Sequence, residues 1–193
     1  MKLTRGPLVE TLVDSFQGSA LGADRSASVR FCVLQPRDLE RLFINELPEP
    51  QPVRVVGVDK QQLRSDDVLV SLRGQPMRAA LFRPHTPQPT LVGNTLAVLR
   101  PKPSLVDPVF LAGLLASGLL HSQLRPFYAT TSSGLSLSLK ELRRVTLPLP
   151  NLETQQAIAE VFAASSAYEE SVANLLTYRR RLVTATLAEV LEA

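Results

Sequence analysis

The chain has 193 residues, of which 45% are hydrophobic and 20% charged, with one cysteine and no tryptophan. That length holds one full domain and an appendage, with a core that needs no disulfide or metal staple. A lone Cys32 excludes an intrachain disulfide and fits a reducing cytoplasm. No stretch approaches the roughly 20 apolar residues of a membrane span. The longest candidate, residues 109–120, is interrupted by Gly113, Ser117 and Gly118. The opening Met1-Lys2-Leu3-Thr4-Arg5-Gly6 lacks the apolar block of a secretory signal, so a cytoplasmic location and no membrane partner are expected.

The net charge of +3 conceals an asymmetry. Residues 1–150 carry 18 bases and 12 acids, a balance of +6, whereas residues 151–193 carry three bases and six acids, −3. A basic body with an acidic tail points to a polyanion as the partner of the body.

In chain order, Val29 to Leu34 is a first, weak strand candidate. Val53-Arg54-Val55-Val56-Gly57-Val58 is a β-branched run bounded by the prolines of 48–52. Asp67 to Leu72 is a second strong strand, ended by Arg73-Gly74. Arg78 to Phe82 is weaker, Pro84 to Pro89 reads as a loop, and Asn94 to Leu99 is a third strong strand ended by Pro101. Asp107 caps a helix with Pro108 at its first position, expected to run to about Leu124 ahead of Pro126. Ser138-Leu139-Lys140-Glu141 is a capping box opening a short helix. Thr146 to Pro150 is an extended exit strand.

All 15 prolines and all 9 glycines precede residue 151, so the segment from Asn151 to Ala193 contains no helix breaker. Asn151 is placed to cap a continuous helix, and Glu153 sits where the helix dipole favours a negative charge. A helix of about 40 residues is roughly 60 Å long, too long for a body of 150 residues to cover. Val161, Tyr168, Leu175 and Leu182 recur every seven residues, flanked by Ile158 and Val172, and the stripe drifts on to Leu176, Val183, Leu187 and Val190. Ser165, Arg179 and Thr186 interrupt it. Burying such a seam calls for a partner helix or a fold-back onto the body.

Catalytic patterns are missing. His85, His121 and Cys32 do not make a zinc site of usual spacing, and there is no phosphate-binding loop, GxGxxG or GxSxG motif. Asp66 and Asp67, as strand neighbours, would point to opposite faces and share no proton. Ser138 and Lys140 could form a hydrolytic dyad on a strand, but the capping box explains Ser138 better. A small hydrolase is therefore disfavoured, and no cofactor or metal is expected on this chain.

Three segments in order carry a family resemblance. They are Leu63-Arg64-Ser65-Asp66-Asp67-Val68-Leu69-Val70-Ser71-Leu72-Arg73-Gly74; then Asp107-Pro108-Val109-Phe110-Leu111 with its helix and the loop Thr130-Thr131-Ser132-Ser133-Gly134; and then Val145 to Ala159, including Pro148-Leu149-Pro150-Asn151-Leu152-Glu153-Thr154-Gln155-Gln156-Ala157-Ile158. Together they resemble a target-recognition domain and the following helix of the specificity subunit of type I restriction–modification systems. The resemblance covers residues 50–193 well and residues 1–50 loosely.

The resemblance implies an α+β fold: a mixed-sheet target-recognition domain over 1–150 and a long C-terminal coiled-coil helix over 151–193. It implies a non-catalytic subunit that binds double-stranded DNA through the domain. The helix would dock an adenine-N6 methyltransferase, on which S-adenosylmethionine is expected, and in turn a restriction motor subunit. The family pattern has two domains and two antiparallel helices, whereas this chain has one of each. A symmetric homodimer would rebuild the full arrangement, with the two domains at opposite ends of a 60 Å rod. Phosphates call for cations, and base edges for bidentate or short polar groups. The candidate DNA contacts are Arg73, Arg78, Arg100, Lys102, Arg125, Thr130, Thr131, Ser132 and Ser133, and the candidate partner seam is Ile158, Val161, Tyr168, Val172, Leu175 and Leu182. For any one cation, a solvated surface role stands beside the DNA reading. The rival is a protein adaptor that engages a methyltransferase or a full-length homologue through its helix without reading DNA.

Overall fold

The structure is a computed structural model that describes residues 6–23, 29–54, 61–74, 76–132 and 134–192. The apolar runs of the middle of the chain form the centre of a five-stranded sheet. Strands β6 (Val68–Ser71), β7 (Ala79–Phe82) and β9 (Leu96–Pro101) lie between β1 (Val13–Gln17) and β4 (Phe43–Ile44), in the order β1-β9-β6-β7-β4. Every pairing is antiparallel except β4 with β7. Successive side chains on a strand face opposite sides. Val68, Val70, Ala79, Leu81, Ala97 and Leu99 join the larger core, and Leu69, Ala80, Phe82, Leu96 and Val98 join a second one. Burial on both faces is why these strands read as unbroken apolar runs rather than as an alternation.

The second core lies against a four-stranded sheet of β2 (Gly22–Ala23), β5 (Gln51–Arg54), β3 (Arg30–Leu34) and β8 (Thr90–Val92), with β3 and β8 parallel. Each sheet is therefore mixed, in keeping with an α+β fold. The strand expected over 53–58 begins earlier, at Gln51, and residues 55–58 lie outside the described ones. Several elements had no clear sequence signal: helix α1 (Val9–Leu12), β1, β2, β4, the three-residue β8 and the short strands within 129–136. Most of them span two to four residues, too few to display a period, and the five of β1 are mostly polar. The exit strand closes the body by pairing with the N-terminal segment: Val9 N–H donates to Val145 O at 2.9 Å and Leu147 N–H to Pro7 O at 3.0 Å.

Helix α2 (Pro108–Ala116) covers the larger core. Its cap is as expected, with the Asp107 carboxylate accepting from Phe110 N–H at 2.8 Å. It ends at Ala116, not near Leu124. Gly118 takes a left-handed conformation at φ 74°, Ser117 Oγ donates to Leu114 O at 2.8 Å, and a separate turn, α3 (His121–Leu124), follows. The break turns Leu120 and Leu124 into the core, which a straight continuation would not do. Every residue of α2 from Val109 to Leu115 is buried, because the sheet covers one side and the C-terminal helix the other.

The C-terminal helix α5 (Leu152–Glu192) is continuous over 41 residues. Asn151 caps it, its side-chain oxygen accepting from Thr154 N–H at 2.9 Å. Gln155 fixes the junction. It is buried, accepts from Asp107 N–H at 2.9 Å, and donates to Pro150 O at 2.9 Å and Leu105 O at 3.3 Å. A stripe of Gln155, Ala159, Phe162 and Ser166 faces the body, and the Arg41–Glu170 ion pair is its last contact with a resolved bond. Phe162 lies over Gly113 of α2, where a Cβ would collide with its ring. Ile158 belongs to this inner stripe as well. It is partly buried against the larger core, so it leaves the seam assigned to a partner because its own body already covers it.

Two substitutions test this docking. Gly113→Ala should lower stability by about 1–3 kcal/mol in urea unfolding, through overpacking against Phe162. Phe162→Leu should restore part of that loss in the Gly113→Ala background while destabilising the parent. Gln155→Leu should cost about 1–3 kcal/mol for each backbone group left buried without a partner.

Candidate nucleic-acid interface

Beyond Ser71 the chain of β6 continues outward and acquires a new neighbour. Leu137 N–H donates to Leu72 O at 2.8 Å, Gly74 N–H donates to Leu135 O at 2.9 Å, and Arg73 bridges Ser136 in antiparallel register. Residues 72–74 thus form the third strand of a ribbon with β10 (Ala129–Thr131) and β11 (Gly134–Ser136). Two glycines at positive φ permit the tight ends: Gly74 at 86° in open space and Gly134 at 105° in the hairpin tip. The Thr131 hydroxyl closes the tip by donating to Gly134 O at 2.7 Å.

The ribbon brings the strand of Arg73 into one sheet with the exposed Thr130, Thr131 and Ser132, which are far from it in sequence: Arg73 lies across Ser136 from Ala129, so Thr131 shares its face and Thr130 takes the other. Ser133 lies outside the described residues. Arg125 is exposed in the 3₁₀ turn Arg125–Phe127, which leads directly into β10. Helix α4 (Leu139–Arg143) follows the ribbon and adds two exposed cations that sequence reasoning passed over, Lys140 and Arg144. Their signal was present, but the capping box absorbed it. That box forms as expected: Glu141 N–H donates to Ser138 Oγ at 3.2 Å, and Ser138 N–H to Glu141 Oε2 at 3.1 Å. The hydrogen bonds from Ser138, with Arg144 and Lys140 nearby, hold the Glu141 carboxyl below its ordinary range.

The remaining cations lie elsewhere. In the register of β6 against β9, Val68 faces Leu99 and Ser71 faces Leu96. Arg100 and Lys102 therefore sit at the far end of the sheet from Arg73, about 20 Å along the strands. Arg100 makes a two-pronged pair with Asp67, Nε to Oδ1 and Nη2 to Oδ2, both at 2.8 Å, and stacks 5.7 Å from the Phe16 ring centroid. Asp67 is fully buried and also accepts from Arg64 N–H at 2.9 Å. The hydrogen bonds to Asp67 push the Arg100 guanidinium above its ordinary range. Arg100 is thus withdrawn from the candidate DNA contacts, because its charge is already spent on a buried carboxylate.

Asp66 is not a strand residue. It sits in a turn at φ 69° and pairs with Arg83 at 2.7 Å, so the two aspartates diverge through the turn rather than through strand alternation. Lys102 Nζ donates to Thr11 O at 3.3 Å, at the end of α1. Arg78 donates to Pro36 O at 3.4 Å and lines a groove of about 620 Å³ between body and helix, with Arg41, Phe162 and Glu169. Cys32 is buried and donates to Gln88 Oε1 at 3.1 Å, and burial raises its thiol pKa. Among the described residues no cluster of His, Cys, Asp and Glu could hold a metal ion, and no helix is long and apolar enough to cross a membrane.

The site thus combines a ribbon carrying an arginine and hydroxyls with a two-sheet body and one long helix. The chain belongs to the family of type I restriction modification DNA specificity domains, whose pattern matches residues 55–173, more than half of its length. That family is a specificity domain and not a catalytic one, and the matched span includes both the Arg73 ribbon and the docked half of α5. The fold is similar to that of the HsdS subunit from Thermoanaerobacter tengcongensis, with a TM-score of 0.57 and 22% identity over 88% of this chain and 38% of that one. It is similar also to the type I restriction-modification S subunit from M. genitalium, with a TM-score of 0.58 and 15% identity over 94% of this chain and 45% of that one. A third similar chain comes from a structure of the type I R-M system concerned with complex assembly and conformational transition, with a TM-score of 0.56 and 22% identity over 87% and 38%. The chain spans less than half the length of each. A search of curated proteins gives no match.

Arg100→Met should destabilise the fold by about 3 kcal/mol, since it strands the buried Asp67 charge, and Asp67→Asn in the same chain should recover part of that. Thermal unfolding of the three variants measures it. If Arg100→Met is neutral, the pair does not anchor the sheet end.

Proposed function

We propose that the chain is a half-length, non-catalytic DNA specificity subunit that reads one half-site per copy and acts as a homodimer. One observation carries the reading: the hydrogen-bonded ribbon holds the exposed Arg73 on the same face as the exposed Thr131, two strands away, with Thr130 and Ser132 on the same support. Arginine can bridge the two acceptors of a guanine edge, hydroxyls suit phosphates, and a β-ribbon fits the major groove. Arg125, Lys140 and Arg144 flank that support, and the +6 balance of residues 1–150 supplies a sequence-independent attraction. Lys102 and Arg78, at other edges of the body, would at most add to that general field.

The helix supplies the rest of the proposal. Its outer stripe is open to solvent in the single chain, with Tyr168 and Leu175 each 71% exposed and Leu182 67%. A second copy would cover the stripe, and the paired helices would dock an adenine-N6 methyltransferase, which carries S-adenosylmethionine, and through it a restriction motor subunit. This assembly would work in the cytoplasm. The stripe serves an adaptor equally well, so DNA binding is the deciding measurement.

Affinity for a duplex pool, measured with the methyltransferase present, should fall steeply between low and physiological salt. Arg73→Ala should weaken binding by about 1–3 kcal/mol and relax preference at one base pair. Absence of binding at low salt would favour the adaptor, and unchanged binding by a folded Arg73→Ala would remove Arg73 from the interface. In light scattering, the parent should be a dimer at micromolar concentration and Leu175→Asp a monomer.

A further inference from the structure

We propose that Arg179 sets the register and direction of helix pairing by lying across Tyr168 and beside Glu169 of a second copy. The inference rests on the dimer reading above and goes beyond it to a specific pairing. Val161, Tyr168, Leu175 and Leu182 occupy one seam position of the heptad. Ser165, Val172, Arg179 and Thr186 occupy the other, three residues earlier. All eight are exposed, so nothing in the chain's own body claims them. Arg179 is the one charge among them, and a single polar group in an apolar seam selects among otherwise similar pairings.

Charge and symmetry decide between those pairings. A parallel pair would place Arg179 against its own copy, two like charges in a seam. In an antiparallel pair the two seam positions meet each other across the interface. With Val172 opposite the second copy's Leu175, Tyr168 faces Arg179, Ser165 faces Leu182, and Val161 faces Thr186. The guanidinium then has an aromatic face beneath it and the flanking Glu169 carboxylate beside it. A shift of one heptad either way sets Arg179 against Leu175 or Val161; neither offers an aromatic face, and the residues that follow them as Glu169 follows Tyr168 are Leu176 and Phe162, although Glu160 precedes Val161. Glu169 is exposed, and the one hydrogen bond of its carboxylate among the described residues is a long one from Ser165 Oγ at 3.4 Å on its own helix.

This register has a geometric consequence. The body is fixed to α5 by Gln155, Ala159, Phe162 and Ser166, so the bodies of the two copies attach about 26 residues apart along the rod, roughly 39 Å. That is shorter than the 60 Å that the whole helix would allow, and it is close to one turn of B-DNA.

The test is a pair distance between spin labels on Thr184→Cys, an outward position, in a Cys32→Ala background of the full chain. The antiparallel register places the two sites about 21 residues apart, roughly 32 Å along the axis. A one-heptad shift moves that separation by roughly 10 Å, and a parallel pair brings the labels level. Arg179→Glu should weaken dimerisation at least tenfold, and adding Glu169→Arg should recover most of the loss. Arg179→Leu should keep the dimer but broaden the distance into several registers. A dimer at a shifted or level distance, or one indifferent to Arg179→Glu, overturns this pairing and leaves the dimer reading standing. A monomeric parent overturns both.

Discussion

The structure depends on one buried side chain, Gln155, which ties two helix starts together. The first turn of α5 and the residue that caps α2 would each leave backbone groups without partners where they meet. Gln155 accepts from Asp107 N–H and donates to the carbonyls of Leu105 and Pro150, so three such groups are satisfied by one amide. From that point rigidity passes outward in both directions. Asp107 begins α2, α2 packs on β6 and β7, and β6 runs on into Arg73 and the ribbon. On the other side, Ala159 and Phe162 keep α5 seated while its remaining length leaves the body. The ribbon and the outer stripe of α5 are thereby held on one stiff path, as the proposed reading of two half-sites at fixed spacing would require.

The two faces of α5 have different owners. Phe162 meets a glycine because a helix already covered by a sheet on one side can accept a second neighbour only at close approach. The opposite stripe carries Val161, Tyr168, Leu175 and Leu182 with no such neighbour. Heptad periodicity against a straight 3.6-residue helix makes the stripe drift, and near its start it runs into the body. Ile158 marks the crossing: by heptad it belongs to the seam, and by contact it belongs to the core.

Legibility followed the length of each signal. The long helix, its Asn151 cap, the Asp107 cap and the Ser138–Glu141 box were all readable, because each rests on local spacing and local chemistry. So were the central strands, whose burial on both faces left unbroken apolar runs. Helix α1, β1, β2, β4, β8 and the β10–β11 hairpin were not, since short elements owe their existence to neighbours distant in sequence. Gln155 looked like one more polar residue in a helix start, and only the approach of Asp107 gives it a role. Arg73 and Thr130–Ser132 were each singled out, but their meeting depends on the bridge from Arg73 to Ser136, a pairing that no local pattern encodes. Arg100 was misread for the same reason, since Asp67 is remote from it in sequence and adjacent only across β6 and β9.

The distribution of ion pairs sharpens the contrast between Arg73 and Arg100. Among the described residues the pairs are Arg41–Glu170, Arg83–Asp66 and Arg100–Asp67, and all lie away from the ribbon. Each neutralises a cation where the body meets its own helix, its turns or its sheet end. Around the ribbon the balance runs the other way. Glu141 is held by Ser138, and its shift reflects Lys140 and Arg144 without any short ion pair to either. Arg73, Arg125, Lys140 and Arg144 are exposed and take part in none of these pairs. The cations at and next to the ribbon thus keep their charge available to solvent, which the proposed contact with a polyanion requires, whereas that of Arg100 is taken up inside the body.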